Sequence, residues 1–264
     1  MTAPKKTARR SYFISDAHLG SRLRYPAHRE QILIDFLTDI RKDADQLFIL
    51  GDLFDFWIEY RHAIRPDYFN ILCTLKTLVQ QGVTIHYIAG NHDFAMGSFL
   101  TDQVGVNVHL DSWEIITDTH RIYLTHGDGL IAADKGYRLL KRFLRNPILQ
   151  HGYRLVHPDL GVGLATFFSR LSRGREKHKG PKFGPEHYRH AAWALSEGGA
   201  ENGFDMVLMG HTHRPEIIHH QGKIYCNTGD WIQSFTYACL DASTLSLWRY
   251  RPGQPPIEIT PEKI

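Results

Sequence analysis

An α/β fold whose first half is a parallel sheet is predicted by three features of this sequence. Five apolar runs have strand length, helical periodicity fills the first two intervals between them, and a glycine or polar cluster closes each run. Tyr12-Phe13-Ile14 is the first strand. Between Pro26 and Arg41, Ile32, Leu33, Phe36, Leu37 and Ile40 recur at helical spacing, so a helix follows it. Leu47-Phe48-Ile49-Leu50 is the second strand, and Pro66 to Gln81 is a second helix through Phe69, Leu72, Cys73, Leu75 and Leu78. Thr84 to Ile88, rich in β-branched and aromatic residues, is the third strand. Strands alternating with helices make βαβ units and a largely parallel sheet. Ile122-Tyr123-Leu124 and Met206 to Met209 continue the series. Lys223 to Cys226, Phe235 to Leu240 and Thr244 to Tyr250 are separated by turn signals and predict antiparallel strands of a second sheet. Arg251 to Ile264 is Pro-rich and expected as a surface tail.

The length of 264 residues and the 42% hydrophobic content support a sizeable core. Four basic residues in the first ten are not followed by an apolar stretch of signal-peptide length, and no run of about 20 apolar residues occurs. Cys73, Cys226 and Cys239 are scattered, which argues against a disulfide framework or a thiolate zinc site. A reducing, cytoplasmic setting is expected. Net charge is only +3, yet between Lys135 and Lys182 there are 12 Lys or Arg against two acids, Asp159 and Glu176. The remainder holds 19 basic against 26 acidic residues. A basic block on an acidic body is a footprint for phosphates, nucleic acid or an anionic membrane surface.

The strand ends carry the chemistry. In order they supply Asp16 and His18; Gly51, Asp52 and Asp55; Gly90, Asn91, His92 and Asp93; His126 and Asp128; and His211 and His213. Ligands of α/β sheets bind beyond the carboxyl ends of the strands, so one edge gathers carboxylates, imidazoles and an amide. Taken singly, an Asp or Asn there is ordinarily a turn or cap residue, and a His in a chain of 17 is ordinarily structural. Five successive ends of ligand type are not explained by independent capping. Imidazole and carboxylate donors suit Mn, Fe or Zn, and one carboxylate can bridge two metals about 3.5–4 Å apart. Asp16 and His18, and likewise His211 and His213, are spaced to lie on one face of a regular strand.

The blocks "DAHLG", "GDLFDF", "GNHDF", "THGDG" and "GHTHRP" together resemble those of the calcineurin-like metallophosphoesterase superfamily over Asp16 to Pro215. The resemblance implies a four-layer αββα sandwich with an inserted helical lid. It implies one divalent ion on Asp16, His18 and His213, a second on Asn91, His126 and His211, and Asp52 bridging them. Manganese comes first as the metal, with iron or zinc as alternatives. It further implies that water activated by the metals attacks phosphorus in line, and that His92, oriented by Asp93, assists the leaving oxygen as a catalytic pair. "GDLFDFWIEY" and "HGDGLIAADKGY" are more specific. They resemble the UDP-2,3-diacylglucosamine diphosphatases of lipid A biosynthesis, which release UMP and diacylglucosamine 1-phosphate. That likeness implies substrate contacts at Asp134 and Tyr137, joined by Lys179 and Lys182. The best-known branch has Arg at the position of His92, so contacts there differ.

The expected organisation is one domain over 10–250 with a basic helical cap inserted at 134–182. Tyr137, Leu140 and Leu144 line one helical face opposite Arg138, Lys141, Arg142 and Arg145, and Asn146-Pro147 closes that helix. Leu160, Val162, Leu164, Phe167, Phe168 and Leu171 form a second apolar stretch before Arg173, Arg175, Lys177, Lys179 and Lys182. Such a segment suits an acylated UDP-sugar drawn from the anionic inner-membrane surface, with the protein bound peripherally. It equally describes a cap whose leucines pack on the body and whose basic residues are solvated. Another phosphodiesterase of the same superfamily, such as a nuclease or nucleotide pyrophosphatase, would also carry a basic strip. Aromatic residues are not interleaved with the basic ones as base stacking requires, which weighs against nucleic acid. A non-catalytic scaffold would be expected to lose ligands, and all seven are present with His92.

Overall fold

The computed structural model describes residues 10–21, 28–117, 119–130, 146–164, 185–197, 201–260 and 262–263. The first half follows the expected alternation: β1 (Arg10–Ile14), α1 (Arg29–Ile40), β2 (Ala44–Ile49), α2 (Phe69–Gln80) and β4 (Thr84–Ile88), with the short β3 (Trp57–Ile58) and β5 (Asp93–Ala95) paired beside them. β6 (Asn107–His109) adds parallel to β4, so β1, β2, β4 and β6 run parallel. β7 (Trp113–Ile116), β8 (Arg121–Leu124), β9 (Met206–Met209), β10 (Glu216–His220) and β11 (Lys223–Asn227) build a second sheet in the order β10-β11-β9-β8-β7.

Period two in the strands sets the layers. Tyr12, Ile14, Leu47, Ile49, Ile85 and Tyr87 point to α1 and α2 and form one core. Phe13, Phe48, Leu50 and Ile88 point the other way and meet Ile122, Leu124, Met206 and Leu208 of the second sheet. Val207, Met209 and Tyr225 pack on the far side against Ala191 and Ala194, the first of which lies on α4 (Pro185–Ala192). The result is helices, sheet, sheet, helices: the four-layer αββα arrangement. The central strands β1, β2 and β9 are covered on both faces where they cross the core, and there they read as continuous apolar runs rather than alternating ones.

The late strands differ from expectation. β12 (Thr236–Asp241) and β13 (Thr244–Arg249) are antiparallel, but they join the first sheet, beside β1, rather than a second one. β11, grouped with them in the sequence, pairs antiparallel with β10 and parallel with β9. Residues 251–264, expected as a tail, contribute β14 (Ile257–Ile259) to the edge of the first sheet and β15 (Glu262–Lys263) to the edge of the second. Short apolar runs look alike whichever sheet they enter, since the choice of partner is made by the packing of distant residues.

Asn146-Pro147 opens a helix, α3 (Pro147–Arg154): Asn146 Oδ1 accepts from Ile148 N and Leu149 N, and Pro147 takes the first turn, where its missing N–H costs nothing. Residues 158–164 are helical as well. Tyr153 Oη donates to the Gly161 carbonyl at 2.5 Å and ties the two pieces together. Asp134, Tyr137, Lys179 and Lys182, with the expected helix from Tyr137 to Arg145 and the stretch from Phe167 to Lys182, lie outside the described residues.

His86 and His109 stack on each other across β4 and β6, with Phe48 beyond one and Trp113 beyond the other, and their Nδ1 and Nε2 atoms are 3.0 Å apart. Burial pushes both imidazoles below the ordinary histidine range. Folded, the pair therefore binds fewer protons than it does unfolded, so its contribution to stability is present above about pH 6.5 and is lost as pH falls below it. The urea-unfolding midpoint of His86→Phe is expected to fall less than that of the wild type between about pH 7.5 and about pH 5.5.

Candidate metal centre

All seven predicted donors stand in the loops that follow β1, β2, β4, β8 and β9, where the carboxyl ends of both sheets open on the same side. The structure brings them into one cluster. Asp16 Oδ1 is 3.2 Å from His213 Nε2 and 3.7 Å from His18 Nε2, and the two imidazole nitrogens are 3.4 Å apart. Asn91 Oδ1 lies 2.9 Å from both His126 Nε2 and His211 Nδ1. Asp52 sits between the groups, its Oδ2 being 3.3 Å from His126 Nε2 and 3.8 Å from His18 Nε2.

Asp16 and His18 do not share a side through strand alternation. β1 ends at Ile14, β9 at Met209, and the donors beyond them occupy left-handed backbone: Asp16 at φ 53°, His18 at 44°, Asp52 at 55°, His211 at 69° and His213 at 57°. These are five of the eight non-glycine positive-φ residues among those described. Each costs about 1–2 kcal/mol, and such strain persists where the surroundings over-determine it. Here the surroundings are backbone bonds between loops: Asp16 N to Gly51 O, His18 N to Asp52 O, and Trp231 N to Asp16 O, at 2.9–3.1 Å. Two glycines permit the approach. A Cβ on Gly90 would collide with the Asp52 carboxylate, and Gly51, at φ 88°, has His126 Nδ1 2.5 Å from where its Cβ would stand.

The donor set fits divalent ions on its own chemistry. His126 Nδ1 donates to the Leu50 carbonyl at 2.7 Å, which leaves the Nε2 lone pair facing two oxygens, Asn91 Oδ1 and Asp52 Oδ2. Lone pairs converge there without a proton of their own, so a cation or an added proton must stand between them. Asp16 Oδ1 is likewise buried without a hydrogen-bond partner. Burial opposes ionisation of Asp52, yet the imidazoles of His126 and His92 hold its carboxyl well below the usual range. Asp16 is held low against burial by His213. Burial would lower His213, but the Asp16 carboxylate pushes it up to about 8. Burial takes His18 down to about 4, leaving it neutral and able to ligate.

His92 lies at the rim, its Nε2 4.0 Å from Asp52 Oδ2 and its ring edge-on to His18 with centroids 4.7 Å apart. Its orientation corrects one expectation. His92 Nδ1 donates to the backbone carbonyl of Asp55 at 2.6 Å, so Asp55 and not Asp93 orients the ring. Asp93 faces inward and accepts from Gly90 N at 2.8 Å, Asp52 N at 3.1 Å and Tyr87 Oη at 2.8 Å, which ties two donor loops together. A neighbour in sequence was mistaken for a neighbour in space: His92 stands in the bend before β5 and turns to the rim, while Asp93, the first residue of β5, turns inward.

Several supporting residues were not singled out from the sequence. Tyr87 carries its hydroxyl from the apolar β4 to Asp93, Asn227 Nδ2 donates to the Gly210 carbonyl at 2.6 Å behind His211, and Ser15 Oγ meets Thr228 Oγ1 at 2.7 Å. Arg29, the first residue of α1, donates to the Ala17 and His18 carbonyls. The available signal was a polar tip or a charge at a position that the apolar period assigns to the interior.

Residues 9–215 match the family model described as calcineurin-like phosphoesterase. A UDP-2,3-diacylglucosamine hydrolase of Porphyromonas gingivalis is 33% identical over 250 residues, covering 89% of this chain and 95% of that protein. A protein of the same name from Photorhabdus laumondii is 30% identical over 219 residues, with 81% and 87% covered. A third, from Xanthomonas oryzae, is 30% identical over 250 residues, with 90% and 98% covered.

Proposed function

This chain belongs to the calcineurin-like phosphoesterase family, and from that premise we propose that it hydrolyses the pyrophosphate of UDP-2,3-diacylglucosamine to UMP and 2,3-diacylglucosamine 1-phosphate. It is a hydrolase of phosphoester or pyrophosphate bonds that takes a divalent metal. Two ions are assigned, one to Asp16, His18 and His213, the other to Asn91, His126 and His211, with Asp52 shared. The observation that carries the assignment is the convergence of Asp52 Oδ2 and Asn91 Oδ1 on imidazole nitrogens from both sheets at 2.9–3.8 Å. Imidazole with carboxylate suits manganese, iron or zinc, and manganese is proposed first.

When bound, divalent ions neutralise charge on the phosphoryl oxygens and lower the pKa of water. The side chains do the rest. Ionised Asp52 and Asp16 set the negative potential of the floor, and neutral His18 offers a lone pair. Donation from His126 Nδ1 to the Leu50 carbonyl and from His92 Nδ1 to the Asp55 carbonyl fixes two rings, so that each presents Nε2 to the site. His92, half-buried at the rim, is placed to donate a proton to the oxygen that leaves phosphorus.

The acyl chains are assigned to the inserted segment. Ile148, Leu155 and Leu160 are 80%, 77% and 69% exposed, a concentration of apolar surface on and between two short helices that lie within the basic stretch of the sequence. No described helix is long and apolar enough to cross a membrane. Peripheral attachment at the cytoplasmic face of the inner membrane fits this combination, through apolar insertion and attraction to anionic lipid. Asp134, Tyr137, Lys179 and Lys182 remain the proposed polar contacts to the substrate.

Purified protein supplied with Mn(II) is expected to release UMP from UDP-2,3-diacylglucosamine with kcat/KM at least about 10²-fold above that on bis-p-nitrophenyl phosphate, since remote binding energy is used in the transition state. Chelation should abolish both activities. Equal kcat/KM on the two substrates would leave a general phosphodiesterase in place of the proposed one.

A further inference from the structure

We propose that Arg29 is a positioning residue of the metal centre: its guanidinium clamps the strained turn from Asp16 to His18 and so sets the affinity of the ion site that this turn serves. The proposal rests on the two-ion reading above. Arg29 is the first residue of α1 and is only 6% exposed. A positive charge in the first turn of a helix is opposed by the helix dipole, and a buried one loses its hydration. Something must compensate for both.

The turn has a set of backbone groups that need partners in the interior. Asp16 N bonds to Gly51 O, His18 N to Asp52 O, and the Asp16 carbonyl accepts from Trp231 N. The next two carbonyls are turned toward α1, and Arg29 meets both: Nη1 donates to Ala17 O at 2.8 Å and Nη2 to His18 O at 2.5 Å. Two donors fixed in one rigid plane match two successive carbonyls, which a single ammonium on a flexible stem does not. With those carbonyls held, the Asp16 and His18 side chains remain on the other side, directed at His213. The donors of the second ion are held by other means: His126 by the Leu50 carbonyl, and Asn91 by the loop that Gly90 and Asp93 anchor. Arg29 therefore acts on one ion site of the two.

The test is titration of metal-stripped protein with Mn(II), read by calorimetry and by elemental analysis, in wild type, Arg29→Met and Arg29→Lys, with Arg29→Ala for chemical rescue. Wild type is expected to bind two ions. Both variants should hold one ion normally and the other about 10–100-fold more weakly, the usual effect of losing a residue that supports a ligand. Arg29→Lys keeps the charge and separates geometry from electrostatics; should Arg29→Met fail to fold, this variant carries the test. Added guanidinium should restore the weakened site in Arg29→Ala. A residue that merely stabilised the fold would lower the thermal midpoint of the metal-free protein and leave both affinities unchanged. That pattern, or equal weakening of both sites, overturns the role of Arg29. A wild type that binds a single ion overturns the two-ion reading instead.

Discussion

Asp52→Asn is expected to lower kcat by about 10³-fold and to leave the protein without its full complement of metal. The side chain is buried, and Oδ2 is the atom that approaches imidazoles of both donor groups, His126 at 3.3 Å and His18 at 3.8 Å. Asparagine has the same shape and can still accept from His92 N at Oδ1, so the fold should survive the exchange. What disappears is the negative charge. Loss of one preorganised electrostatic group typically costs about 10²–10³-fold, and this one is proposed to be shared by two ions, which places the expected effect at the upper end. Turnover and elemental analysis of the purified variant measure the two parts separately. Unimpaired turnover with wild-type metal content would show that Asp52 is not the shared ligand.

His92→Ala should also lower turnover, by about 10²–10³-fold, with metal content at the wild-type level. Its Nδ1 is engaged by the Asp55 carbonyl, and its Nε2 stands 4.0 Å from Asp52 Oδ2, farther than the His126 or His18 nitrogens. The ring is thus fixed in orientation yet set back from the donor cluster, which suits contact with the leaving oxygen better than ligation. Loss of an ion from this variant would move His92 into the ligand set and remove the leaving-group role.

The two expectations differ in how far the sequence carried them. The strand-end position of the seven proposed donors was legible because each follows an apolar run, a local feature written over a few residues, whereas their selection from the other polar residues there came from the likeness to the family. The glycines were legible for the same reason, as turn residues; that Gly90 makes room for the Asp52 carboxylate was not. The pairing of His92 with Asp93 failed because adjacency along the chain was used in place of adjacency in space. The shared side of Asp16 and His18 was expected from strand alternation, and a left-handed turn produced it instead.

By itself, then, the sequence determined the order of the early strands and helices, the strand-end position of every donor, and the type of ion such donors suit. All of these depend on the local period of side chains and on the chemistry of single residues. The tertiary structure alone decided that β12 and β13 extend the first sheet, that the carboxyl ends of both sheets open on one side, and that Arg29 reaches two carbonyls of the first loop. Those outcomes depend on contacts between residues far apart in the chain, such as Phe48 with Phe13 and the residues they face in the second sheet. Burial between layers selects such contacts only once whole faces meet, so no short stretch of sequence carries their signature.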